Sequence, residues 1–254
     1  MNDAIRWPRP HWQAHPGEDA LLLYFVFGDF PRELKIPLSR YQSRGLPGGV
    51  ELFRHPHEAL KSWAGYPLGG ALGDILRQDS PAGVARAENA AEVLSVRGTV
   101  ADPASLDYLR DTTGVLAGLL DLGGASVVDP QMLSLFVADD WRRRYLIPDG
   151  APPRHHVLIL VNPDEDGGQW VRTRGMRKFA RPDLSVRQVP EADIERAGAL
   201  CQKLVDMQAL GAWIEEGQPL EVDGIPGSFV ARHAGDINDP RFNNSHIELL
   251  WPTD

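Results

Sequence analysis

The chain has 254 residues, enough for one large domain or two small ones, and its 43% apolar and 24% charged content is that of a folded globular protein. A formal net charge of -9 argues against a general nucleic-acid binder, which needs a broad basic surface to neutralise phosphates. The single cysteine, Cys201, excludes an intramolecular disulfide framework and every Cys-rich zinc or iron–sulfur scheme, and fits a reducing compartment.

In chain order, the leader MNDAIRWPRPHWQAH holds no apolar run of signal-peptide length. LLLYFVF (21–27) suits a buried strand and is far too short to cross a bilayer, so a cytoplasmic chain without membrane contact is the expectation. Strand-like pieces near 33–38 and 49–53 flank a Gly/Pro loop at 45–49, and a short helix is expected from about Pro56 to Trp63. GYPLGGALGD (65–74) reads as a turn-rich loop, since it lacks the Lys-Ser/Thr of a phosphate-binding loop. PAGVARAENAAEVLSVRG gives an Ala-rich helical segment and then a strand into Gly98.

Asp102-Pro103 opens a helix with Leu106, Leu109, Val115, Leu116, Leu119 and Leu120 at helical spacing, and Gly123-Gly124 ends it. ASVVD (125–129) is the next strand, and Pro130 is expected to start a second helix with Met132, Leu133, Leu135 and Phe136 inward. LIPDGAPPR (146–154) is the strongest internal boundary. Beyond it, VLILVN (157–162) and QWVRT (169–173) predict a hairpin, DLSVRQV a strand, and Pro190 a long helix to about Leu210. Short strands near 219–222, 228–232 and 245–250 complete an α+β chain of mixed or antiparallel sheets packed on helices lying on one side. The expected organisation is an N-terminal α+β subdomain over 1–99 and a C-terminal α+β domain over 100–254.

The segment from Trp170 to Arg187 carries six cations against one carboxylate, Asp183, while Glu215 to Asp254 carries eight carboxylates against two arginines. Such asymmetry resolves internally when the acidic tail lies over the basic face. Alternation along 169–173 puts Trp170 and Arg172 on one side, Met176 and Phe179 in the core, and Arg174, Arg177, Lys178 and Arg181 outside.

The stretch WVRTRGMRKFARPDLSV resembles the motif T-x-G-M-x-x-F-G-x-P-[DE]-[LI]-x-[VI] of a broad group of bacterial proteins that carry a domain of unknown function. Thr173, Gly175, Met176, Phe179, Pro182, Asp183, Leu184 and Val186 fall on its positions, and the preceding helix–GG–strand–Asp-Pro unit matches as well. The resemblance covers about 100–215 and implies a shared fold, with immunity to a toxin or an accessory part in secretion as the associated roles. It transfers no catalytic residue. Ala180 stands where the motif has Gly, so a turn needing a positive φ is expected to differ here.

Chemistry has few footholds. His55-Pro-His57-Glu58 and His155-His156 lack metal-ligand spacing, Cys201 falls on an apolar helix face, and Asp164, Glu165 and Asp166 read as a solvated hairpin tip. No catalytic residue, metal or cofactor is assigned. The expected function is binding of a protein partner through Arg142, Arg143, Arg144, Trp170, Arg172, Arg174, Arg177, Lys178 and Arg181, with Trp7, Trp12, Trp141 and Trp251 as further side chains of the anchoring kind. The alternative is a small anionic ligand or an enzyme, with a basic cleft between the subdomains and His155, His156 or Asp183 as acid–base groups. The oligomeric state is left open.

Overall fold

A computed structural model describes residues 6–13, 19–147, 150, 152–225 and 227–252. The chain is α+β, with mostly antiparallel sheets, and divides into two units: Met1–Pro8 with Leu21–Ala151, and Arg9–Ala20 with Pro152–Asp254. The main division therefore falls in the Pro-rich stretch 146–154. Position 99 instead lies inside a strand of the first unit. Among the described residues no helix is long and apolar enough to cross a membrane.

The first unit is built on β1 (Asp19–Gly28), whose run of apolar residues lacks alternation because both of its faces are covered. The strands β2 (Val50–Pro56), β3 (Glu92–Ala101), β4 (Gly124–Asp129) and β5 (Ser134–Phe136) complete a sheet of order β2-β3-β1-β4-β5. Phe25 and Phe27 pack with Leu68, Leu76, Val84 and Val128 under α2 (Gly70–Asp79) and α3 (Pro81–Glu88), which come after the short α1 (His57–Leu60). On the other face Tyr24 meets Trp141 edge-on at 5.9 Å, beneath α4 (Asp107–Asp121) and α5 (Ala138–Tyr145). Helices on one side only were expected; here they cover both. Gly114 and Gly118 let Tyr41 and Ile36 pack directly on α4, since a Cβ at either would lie within 2.4 Å of them.

Four local expectations are corrected in this unit. The second half of the loop expected over 65–74 is the start of helix α2: Gly70, at φ 55, opens it and Leu76 is buried. The helix expected from Asp102 starts at Asp107, whose carboxylate accepts the Trp7 backbone N–H at 2.9 Å and pairs with Arg110 at 3.0 Å. Pro130 starts only a single 3-10 turn. The Asp129 carboxylate caps Gln131 and Met132, Leu133 turns left-handed at φ 50, and residues 134–136 fold back as β5 on β4. The 33–38 piece is likewise no strand, and a 3-10 turn comes next at Leu38–Tyr41.

The second unit holds the predicted hairpin, β6 (Leu158–Pro163) and β7 (Gln169–Arg174), with β8 (Asp183–Val189) antiparallel to β7. The helix α6 (Ile194–Ala209) is next, then the two-residue strands β9 (Pro219–Leu220) and β10 (Phe229–Val230), and β11 (Arg232–Ala234) and β12 (His246–Leu250). The sheet order is β11-β12-β8-β7-β6, and β12 lies parallel to β8. α6 covers one face, burying Leu200, Cys201, Leu204 and Val205 toward the side of Val171, Leu184, Val186, Ile247 and Leu249.

Trp141 is fully buried, donates its indole N–H to the Thr113 carbonyl at 3.1 Å and touches the rings of Tyr24, Phe136 and Tyr145. Trp141→Ala leaves a cavity and an unpaired carbonyl, and is expected to destabilise the first unit by about 3–5 kcal/mol. Urea unfolding followed by circular dichroism reads the loss.

Candidate functional site

The motif segment turns first into a buried polar cluster. Gly175, at φ 119, sits so close to the His156 carbonyl that a Cβ would come within 2.5 Å of it. This lets 176–179 wind into a 3-10 turn, which drops Met176 and Phe179 into the core. Ala180 adopts φ 54 in the place where the motif has Gly, so the turn is kept and a strained alanine carries it. Asp183 is wholly buried. It accepts the Thr173 hydroxyl at 2.9 Å, the Met176 N–H at 3.3 Å and the Asn244 amide at 2.9 Å.

Most of the cations in this segment are internal, contrary to their expected place outside. Lys178 is fully buried and donates to the His156 carbonyl at 3.0 Å. Arg181, also fully buried, donates to the carbonyls of Ala180, Gly211 and Ala212 at 2.8–2.9 Å. Arg9 donates to Ala209 at 2.9 Å and to Phe179 at 3.0 Å. Arg9 thus caps the last carbonyl of α6, where orphan carbonyls and the helix dipole attract positive charge, and Arg181 holds the two carbonyls just past the helix end. Arg174 is buried against the carbonyls of Pro240 and Arg241, and Arg177 reaches that of Asn243 at 3.2 Å. The tail does lie over the basic strand, but it offers carbonyls to these arginines rather than carboxylates.

Arg142, Arg143 and Arg144 belong to the first unit and are also engaged. Arg142 pairs with Asp121 and Asp139, Arg143 with Asp140, and Arg144 lies 5.6 Å from the Phe136 ring centre. The remaining expected site residues, Trp170 and Arg172, stand on the face of the second sheet that turns away from α6. Register places Arg172 level with Leu160 and Ser185, Glu248 level with Ser185, and Leu250 level with Arg187.

Trp170 is the centre of this face. Its indole donates to the Ser185 hydroxyl at 2.9 Å, and Phe242 meets the ring edge-on at 5.8 Å. Three guanidinium groups surround it, Arg172 at 3.9 Å, Arg187 at 5.0 Å and Arg241 at 5.8 Å from the ring centre. Arg187 is held by Asp164 at 3.0 Å and Arg241 by Asp239 at 3.0 Å. Arg172 has neither. Its buried Nε finds no acceptor among the described residues, and burial, then Arg174 and Arg241, hold its guanidinium below the ordinary value. His246 stacks on Phe242 at 4.2 Å, and burial lowers its value too.

Arg187, Arg241, Phe242 and His246 were not picked from the sequence as site residues. Arg187 joins Trp170 through the pairing of β8 with β7, and Arg241, Phe242 and His246 because β12, some sixty residues further on, pairs in parallel with β8. A groove of about 570 Å³ lies elsewhere in the second unit, lined by Pro10, Trp12, Met207 and Trp213. His57 is structural, bonded to the Ala90 carbonyl at 2.7 Å and the Tyr66 hydroxyl at 2.6 Å. The Cys201 thiol is pushed up to about 12 by burial. Among the described residues no three His, Cys, Asp or Glu side chains converge as a metal site.

No protein-family model, curated protein or solved structure matches the chain.

Burial raises the Asp183 carboxyl to about 6 from the ordinary 3.8, against the opposing bonds from Asn244, Thr173 and Met176. A carboxyl raised in this way holds its proton more tightly in the folded chain than in the unfolded one. Its stabilising contribution is full below pH about 4 and is lost as pH rises through about 6, a change of about 3 kcal/mol at most. The stability of Asp183→Asn minus that of wild type should therefore climb between pH 4 and 6 and then level off. Urea melts across that window read the difference, whatever constant offset the amide introduces.

Proposed function

We propose that the chain is a binding module that receives an acidic group of a protein partner on the helix-free face of its second sheet, with Arg172 as the central contact. The observation that carries this reading is the half-buried Arg172 guanidinium, stacked on Trp170 and without an acceptor among the described residues. Its neighbours Arg187 and Arg241 are paired with Asp164 and Asp239, and although the Asp239 charge also reaches Arg172, no carboxylate among the described residues forms an ion pair with it. A carboxylate brought by a partner supplies it through charge-assisted hydrogen bonds, the strong kind in a site of reduced dielectric.

A protein is favoured over a small anion because the cation sits on a strand, on the sheet face away from α6, beside residues that stay exposed. The half-exposed Leu250 lies level with Arg187 on that face. An arginine and an aromatic ring beside an exposed aliphatic side chain is the composition of an interface centre. The small-anion reading draws on the same guanidinium and is separated from the first by the test. Toxin neutralisation or service to a secretion system are finer versions that rest on the motif resemblance, and the identity of the partner decides between them.

The test is affinity capture, identification of the retained protein, and calorimetric titration of the purified pair. Arg172→Glu is expected to weaken the complex at least about 30-fold, the scale for a desolvated charge contact, with an unchanged melting temperature. Arg143→Glu, on the exposed side of α5, is expected to bind as wild type. Equal affinity of wild type and Arg172→Glu would falsify the assignment, and saturable binding of inorganic phosphate lost in Arg172→Glu would move it to a small anion.

A further inference from the structure

Four strands end the two five-stranded sheets, and three of them are blunted against pairing. β2 carries Glu51 and Arg54 and ends at Pro56; β5 has three residues; β11 has three, including Arg232 and His233. These are the devices by which sheet edges resist addition of another strand. β6 has none of them before its last residue. It reads LILVNP, six residues without a charge, and its only proline is the terminal Pro163. Val161 is 42% exposed and Leu158, Ile159 and Leu160 are half-buried. One side of β6 pairs with β7, and among the described residues no hydrogen bond from a loop reaches the other.

The charges at the two ends of β6 are opposite in sign. The 3-10 turn Pro153–His156 before it exposes Arg154, and the hairpin tip after it exposes Glu165 and Asp166. A strand with a basic start, an apolar middle and an acidic end is complementary to itself when run antiparallel. With Leu160 opposite its own copy, Ile159 lies opposite Val161, and Arg154 comes level with Asp166 of the second copy, twice over by symmetry. That register also keeps both α6 helices on the same side of the joined sheet, because directly opposed residues point to the same face.

We propose that β6 is a self-pairing edge, by which two copies of this chain join antiparallel into one continuous ten-stranded sheet about a two-fold axis at Leu160. The occupant is a second copy because the apolar middle and the end charges match those of the same strand reversed. The Arg172 reading is not needed for this pairing.

Sedimentation velocity of the full chain over a concentration series tests it. Wild type is expected to pass from monomer to dimer as concentration rises. Val161→Lys puts an ammonium beside Ile159 of the second copy, and is expected to stay monomeric with an unchanged melting temperature. Arg154→Glu and Asp166→Arg should each weaken the dimer about tenfold, from repulsion introduced at two symmetric contacts, and the double variant should recover toward wild type. A wild type that remains monomeric at its highest soluble concentration overturns the proposal, as does a dimer untouched by Val161→Lys. A dimer lost in Val161→Lys but indifferent to both charge reversals overturns the Leu160-centred register.

Discussion

The second unit depends on keeping charged groups in its interior satisfied. Asp183, Lys178 and Arg181 are all buried, and each would be costly if left without partners. The chain meets this cost largely with backbone. Arg9 takes the last carbonyl of α6 and Arg181 those just past it, Lys178 takes the carbonyl of His156 shortly before β6, and Asp183 collects a hydroxyl, an amide and a backbone N–H. The strands, the 3-10 turn and the helix end are thus tied at one place. Once that cluster forms, the position of β7 relative to β8 is set, and with it the ring of Trp170 on the outer face.

The first unit is held by a simpler constraint. Its central strand is apolar on both faces, so it is stable only when a helical layer covers each side. One layer comes from the segment 70–88 and the other from 107–145. Aromatic rings fill the second gap, with Trp141 lying between Tyr24, Phe136 and Tyr145. The arginines just after Trp141 are then left at the rim, where i,i+3 carboxylates and ring faces occupy them.

Elements with one strong local signal were legible in the sequence: the 157–173 hairpin, the strand at 183–189 and the long helix after Pro190. What misled was local chemistry that serves more than one geometry. Asp129-Pro130 is a sound helix start, yet the left-handed Leu133 stops it after one turn, and only the pairing of 134–136 with β4 explains why. The glycines of 69–73 suggest a loop, although burial of Leu76 against the sheet holds residues 70–79 in a helix. The basic run read as an outer surface because a sequence shows cations but not the carbonyls of 209–212 and 240–243 that receive them. Arg172 was legible from strand alternation. Its setting was not, since Arg241, Phe242 and His246 arrive through the long-range pairing of β12 with β8.

Pairing at β6 would change what the Arg172 face presents. Arg172 sits level with Leu160, so a two-fold axis at Leu160 puts both copies of Arg172 in one row. They would be separated by three strand spacings, about 14 Å, and would point to the same side of the joined sheet. A partner with a single acidic group would then meet two equivalent sites at that distance. One with two carboxylates at matching separation would engage both, and the second contact would form at the high effective concentration set by the first. Affinity for such a partner would depend on dimer formation even though no residue of the Arg172 site lies on the edge, so that Val161→Lys would weaken the binding of a two-armed acidic partner while sparing that of a one-armed one.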